Sequence, residues 1–277
     1  MIQSNYPLKN ISTIGLGGIC KEFICPTSIE ELLKIKLTKK KLFIGNGSNI
    51  CFITDYYDGT IVSLKRMSKV ISHDDKYIYC SSNISCTKIA KYLFNNSISG
   101  FEYLYGIPGT IGGALYMNAG AFDKEILTHV HRIKLLDHNG DLYYLKGKDL
   151  NYSYRKSNIN KSSIIIGVEF YNHTKIFDKK LLRNLDNKRK SSQPVNQLSC
   201  GCIFKNPPHK YASKLIEGAK LKGKRFGGIY ISRKHSNYFI NDGSGSFTDF
   251  LNLLDYVKRK VLSVYNVELK EEVILIK

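Results

Sequence analysis

The sequence has no Cys-x-x-Cys pair and no histidine cluster at finger-like spacing, so the common structural zinc modules are excluded. Its cysteines, at positions 20, 25, 51, 80, 86, 200 and 202, are odd in number, and reduced thiols with no metal are expected. No glycine-rich stretch ends in Gly-Lys-Ser/Thr. The first of them also fails to fit Gly-x-Gly-x-x-Gly with an acidic residue about twenty positions on, which disfavours NTP hydrolysis and the ordinary dinucleotide fold. Lys9 and Lys21 interrupt the N-terminal stretch before any continuous apolar core forms, so no signal peptide is read and a cytoplasmic location is expected. Internal repeats and low-complexity tracts are lacking too.

Acidic residues are scarce, 23 against 42 lysines and arginines, for a formal charge of +19. The cations are scattered through every segment and form no arm or stripe, so no nucleic-acid function is expected. They suit the steering of phosphorylated small molecules. Tyr103 to Phe122 runs without a charge and carries Gly109 and Gly113 at GxxxG spacing. Pro108, the five glycines from 106 to 120 and the polar Asn118 make it a poor membrane helix. A buried loop-and-turn segment, with no membrane insertion, is the expectation.

With 277 residues and 43% hydrophobic content, the chain should form two or three folded units. Lys41 to Ile44 reads as a buried strand entering the tight turn Gly45-Asn46-Gly47-Ser48-Asn49. Strands are also predicted at Thr60–Leu64, Lys76–Ser81, Thr128–Leu136, Asp141–Lys146 and Ile164–Phe170, with a hairpin at Asp137–Gly140. Ser85 is a predicted N-cap for a helix bearing Ile89, Tyr92 and Leu93, and Asp178 for one bearing Leu181, Leu182 and Leu185. Ser191 to Pro194 is the best linker. Beyond it come a short helix at Ser213–Ala219, strands at Gly228–Ser232 and Tyr238–Ile240, and a long helix capped by Thr248. That helix turns Phe250, Leu253, Leu254, Val257, Val261 and Val264 inward, and a last strand covers Val267–Ile276. This is an α+β pattern.

Gly45 to Asn49 and Gly106 to Ala121 are rich in backbone N–H groups able to form anion nests around a pyrophosphate. The segments GNGSNI, GIPGTIGGALYMNAGAF, YRKS, SCGCIFKNP, KHSNYFIN and LKEEV occur in this order over nearly the whole chain. Together they resemble the UDP-N-acetylenolpyruvoylglucosamine reductase (UDP-N-acetylmuramate dehydrogenase) family, and in length its shorter type.

The resemblance implies an FAD-binding fold of the vanillyl-alcohol oxidase (PCMH) type over residues 1–190, in subdomains of about 1–70 and 71–190. A substrate-binding α+β domain follows over 191–277. It implies FAD as cofactor, NADPH as hydride donor, a UDP-sugar as substrate and a monomer. FAD is expected on Gly45, Asn46, Gly47, Ser48 and Asn49 and on Gly106, Ile107, Pro108, Gly109, Thr110, Gly112, Gly113, Asn118, Ala119, Gly120 and Ala121.

Hydride addition beside a carboxylate builds negative charge, and Arg155, at the family's catalytic-arginine position, offers a planar fork to it. Cys202 stands where most members have a serine that donates the proton. A thiol is a stronger acid than a hydroxyl and still largely protonated at neutral pH. Glu272 matches the family's catalytic glutamate, its neighbour Glu271 facing the opposite way along a strand. Substrate contacts fall on Tyr154, Lys205, Asn206, Arg233, His235 and Asn237, with Lys234 among the nearby cations. Lys220 and Asp123 replace glycines of the family pattern, which costs roughly 1 kcal/mol wherever φ must be positive. The alternatives are another FAD enzyme of this fold, a basic nucleic-acid-binding protein, and a hydrolase built on Cys202 and His235.

Overall fold

In a computed structural model, residues 2–35, 40–137, 139–172 and 180–277 are described. They form two compact units. One comprises the first two residues, Ile24–Gly45 and Ile61–Arg189, and the other Gln3–Phe23, Asn46–Thr60 and Lys190–Lys277. The fold is α+β. Segments of the first 70 residues belong to both units, because Ile14, Leu16 and Cys51 lie in the same buried cluster as the C-terminal apolar residues.

The first unit is built on a five-stranded antiparallel sheet. Its strand order is Leu142–Lys146, Val130–Leu136, Ile164–Tyr171, Tyr77–Ser81, Ile71–His73. Alternation sends Ile133, Leu135, Val168, Phe170, Ile78 and Cys80 into one core with Phe101, Tyr103, Ile111 and Leu115. Arg132 and Glu169 face each other in the ladder and form a two-pronged ion pair, both contacts 2.8 Å. Helix α1, Ile29–Lys34, is capped by Ser28, and α2, Cys86–Asn95, by Ser85 as predicted. The segment read as loop and turn contains a short helix, α3, Ile111–Tyr116, which Thr110 caps by accepting from Gly113. Its two glycines lower helix propensity, and cap and tertiary packing override that. Helix α4 is Leu181–Ser192, whereas its proposed cap Asp178 lies outside the described residues, as does His138 of the predicted hairpin.

The second unit contains α5, Ala212–Gly218, and α6, Phe247–Tyr265. A three-stranded antiparallel sheet, Arg225–Phe226, Ile229–Ile231, Phe239–Asn241, lies in the same unit. Phe250, Leu253, Leu254, Val257 and Val261 are buried as predicted, worth about 1.5–3 kcal/mol each on folding. Val264, however, is exposed, and Tyr265 continues the stripe into the core. The cap of α6 is Ser246, not Thr248: Ser246 and Asp249 form a reciprocal capping box two residues upstream. Only Ile274–Ile276 of the expected last strand is regular, and it pairs in parallel with Ile50–Phe52.

Candidate active site

Both glycine loops are shaped by what a side chain would strike. Gly45 lies against the α3 cap, where an added Cβ would sit 2.4 Å from Thr110 Oγ1. Within the first unit, therefore, the start of the first loop meets the helix of the second. Gly47 has φ +66°, and a Cβ there would come 2.0 Å from the Ile11 carbonyl, so no other residue fits without moving the backbone. A side-chain-free lip of this kind, ending on a capped helix, suits the pyrophosphate of a dinucleotide cofactor. In this respect the residues present fit FAD.

Asn118 closes the second loop from inside. It is completely buried with φ +43°, and its amide donates to Glu125 (2.8 Å) and to the Ser153 carbonyl (3.0 Å) while accepting from Leu127 N. Its side chain therefore binds protein, as does its backbone N–H, which donates to Leu115 O (3.2 Å). The next stretch doubles back through Phe122 and Asp123, φ +55° and +61°, joining the paired residues Gly120–Ala121 and Lys124–Glu125. The glycine replaced by Asp123 is thus one whose backbone is left-handed.

Arg155 occupies the turn of a short hairpin, with Tyr152–Ser153 pairing Lys156–Ser157. Its φ is +55°, an unfavoured conformation for an arginine and a form of local strain seen at functional positions. The guanidinium donates to the carbonyls of Gly120 (3.0 Å) and Asn118 (3.4 Å) and stacks 4.8 Å from the Tyr154 ring. Ser157 ties the hairpin to the Tyr116 carbonyl at the end of α3 (2.8 Å). The structure thus brings Arg155 and Tyr154 together with the second glycine loop. Of the residues that build this platform, Glu125 lies in none of the sequence motifs, and Ser157 closes the YRKS string without having been expected at the site.

In the second unit, Cys202 lies in an extended segment bridged antiparallel to Tyr238, and Phe204 is bridged to Glu271. Ile203 N donates to Asn237 O (2.9 Å), Glu272 N to Ile203 O (2.8 Å) and Lys205 N to Lys270 O (2.9 Å). Cys202 and Glu272 are therefore on adjoining, hydrogen-bonded segments. Glu271 pairs with Lys258 of α6 at 2.8 Å, while Glu272 is half-buried. None of the seven cysteines, all of them described, is in a disulfide, and Cys202 is the one that is not buried. Burial pushes the Cys51 thiol up to about 12 and holds Cys200 well above its usual range.

Asn237 is 2% exposed, and its amide makes a reciprocal pair with Phe204, accepting from the backbone N–H (3.0 Å) and donating to the carbonyl (2.8 Å). It holds the segment that carries Cys202. Asn206 Oδ1 accepts from Ala212 N (3.1 Å) at the start of α5. His235 lies edge-on to Tyr238 at 4.8 Å, and its buried Nδ1 has no hydrogen-bond partner among the described residues. Burial, then the nearby Lys222, lowers its pKa and keeps the ring neutral. Arg233 is exposed above Gly223, Lys205 is half-buried, and Lys234 donates to the Lys190 carbonyl. Lys220, at the end of α5, has φ +60°.

Among the described residues, no group of three or more His, Cys, Asp or Glu could hold a metal, and no helix is long and apolar enough to cross a membrane.

Residues 21–146 match the family model of an FAD binding domain. Residues 193–276 match that of the C-terminal domain of UDP-N-acetylenolpyruvoylglucosamine reductase. A relative of that name from Caldanaerobacter subterraneus subsp. tengcongensis is 36% identical, with 97% of this chain and 91% of the relative aligned. Another from Fusobacterium nucleatum subsp. nucleatum is 31% identical over 100% and 99% of the two chains. The crystal structure of the Thermus caldophilus reductase superposes with a TM-score of 0.82 at 28% identity, covering 100% of this chain and 98% of that one. With matches of this extent across both units, the chain belongs to the UDP-N-acetylenolpyruvoylglucosamine reductase family.

Proposed function

We propose that this chain is an FAD-dependent, NADPH-linked reductase that converts UDP-N-acetylglucosamine enolpyruvate to UDP-N-acetylmuramate for peptidoglycan synthesis. The observation that carries the reading is the family membership over the full chain, joined to two glycine loops that meet at Gly45 and Thr110. Bound FAD would supply the hydride chemistry, taking a hydride from NADPH and passing it to the enolpyruvyl carbon. The chain's own residues do the rest. Gly45 to Asn49 and Gly106 to Ala121 hold the cofactor by backbone N–H groups, with Asn118 shaping the second loop from within.

Arg155 binds the enolpyruvyl carboxylate, its fork kept in place by the Gly120 and Asn118 carbonyls, and offsets the charge that builds there. Cys202 holds a proton on Sγ for the adjacent carbon, and Glu272, on the neighbouring segment, assists that protonation as a carboxylic acid, giving its own proton to the thiolate that Cys202 becomes. Tyr154, Lys205, Asn206, Arg233 and His235 orient the UDP-sugar. Asn237 contributes by fixing the backbone on either side of Phe204. On this reading residues 1–190 hold the flavin and 191–277 the UDP-sugar, in a cytoplasmic monomer.

Anaerobic reduction of the purified holoprotein by NADPH, followed by UDP-N-acetylglucosamine enolpyruvate, tests cofactor, donor and acceptor together. Bleaching at the first addition and recovery of flavin absorbance at the second are expected. Bleaching without recovery would make the protein a different flavin reductase.

A further inference from the structure

Thr13 belongs to none of the sequence motifs, yet it fastens the first glycine loop to the segment that carries Cys202. Its N–H donates to Gly47 O (3.1 Å), and its carbonyl accepts from Ser199 N (3.1 Å). Its hydroxyl lies 2.6 Å from Ser199 O and 3.3 Å from Gly47 O, a short bond to the first with a weaker share to the second. Asn49, at the other end of the loop, does the same for Glu272. Its amide donates to Glu272 O (3.1 Å), and its carbonyl accepts from Ile274 N (3.0 Å), bracketing Glu272 and Val273 between two contacts. From Glu272 the ladder runs through Ile203 to Cys202. A loop that only had to cradle a pyrophosphate would need neither connection.

We propose that Thr13 and Asn49 are positioning residues that make occupancy of the first glycine loop by FAD and alignment of Cys202 with Glu272 a single linked event. The proposal rests on the reading of the loop as a flavin site and of Cys202 and Glu272 as the proton-handling pair. The physical basis is linkage. Whatever free energy the ordered catalytic segments add to FAD binding, FAD binding returns to their order. The two ties are short, lie within one unit and leave little slack, because Gly47 is already pressed against the Ile11 carbonyl. The consequence is that proton delivery is assembled only when the cofactor is present.

The test is hydrogen–deuterium exchange on the full-length protein with and without FAD, read on peptides covering 199–206 and 269–276. In the wild type, FAD should slow exchange of both segments by about tenfold, the ordinary size of such coupling. Thr13→Val keeps the shape of the side chain and removes its hydroxyl. Asn49→Ala removes the amide. In Asn49→Ala the FAD that is bound should no longer protect 269–276, and Thr13→Val should still take up FAD while losing most of the protection gained at 199–206. Thr13→Ser should restore it. In Thr13→Val, reduction by NADPH should be unchanged while substrate-driven reoxidation slows by about ten- to a hundredfold.

FAD-dependent protection in both variants equal to that of the wild type would overturn the proposal. In Thr13→Val, a parallel fall of FAD uptake and both half-reactions would overturn it too, since Thr13 would then merely build the loop. Failure of the Cys202 reading looks different: Cys202→Ala would turn over normally while the FAD-dependent protection persisted.

Discussion

The two units hold their chemically important residues in contrasting ways. In the first, Arg155 sits on a two-residue turn with φ +55° and is fastened by its own charged head to two carbonyls, which Asn118 and the end of the second loop provide. In the second, neither Cys202 nor Glu272 has a positive φ, and the fastening is done by neighbours: Asn237 on one side, Asn49 and Thr13 on the other. A long flexible cation can be clamped at its tip. A short thiol can be placed only by fixing the backbone beneath it, and in both units a buried asparagine amide does that fixing.

The contrast is sharpest in what substitution should do. Arg155→Lys keeps the charge but loses the fork, so turnover should fall by about 10²- to 10³-fold with a much smaller change in KM, as measured by steady-state kinetics. A loss confined to KM would make Arg155 a simple binding residue. Asn237→Leu should act on stability first, because it strands the buried N–H and C=O of Phe204. About 2–4 kcal/mol and a clear drop in Tm are expected. An unchanged Tm would break the claim that this amide carries the Cys202 segment.

Lys220→Gly should stabilise by about 1 kcal/mol, since the left-handed conformation at φ +60° suits glycine; denaturant melts would show it. His235 gives the smallest effect. Its folded-state pKa lies below the ordinary value of about 6.5, so its contribution to stability is present above that pH and is lost as pH falls below it. His235→Gln should flatten the acid side of the pH–stability curve. A curve of unchanged slope would mean that other groups govern it.

Much of this was legible in the sequence. The strand Lys41–Ile44, the Ser85 cap, the buried stripe of α6 and the family itself were all carried by periodicity, caps and motif order. Thr248 was misread because a capping box at Ser246 and Asp249 outweighs a lone threonine two residues later. Helix α3 was unexpected because its glycines hide a helix that cap and packing hold together. Motifs mark residues that touch ligands and also residues that hold them, and they do not separate the two. Asn118, Asn206 and Asn237 stand in the conserved-looking strings, yet each side chain binds backbone, and Asn118 also binds Glu125. Thr13 is invisible for the opposite reason: its role comes from a contact across 186 residues, and no local pattern announces it.

The central claim is that Cys202 supplies the proton in the second half-reaction, and stopped-flow reoxidation of the NADPH-reduced enzyme by UDP-N-acetylglucosamine enolpyruvate tests it most directly. Wild-type reoxidation should fall as pH rises through the thiol's titration, and Cys202→Ser should keep part of the rate and move that fall to higher pH. Cys202→Ala should still be reduced by NADPH but lose about 10²- to 10⁴-fold in reoxidation. Reoxidation of Cys202→Ala at the wild-type rate would contradict the account and assign the proton to Glu272 or to water.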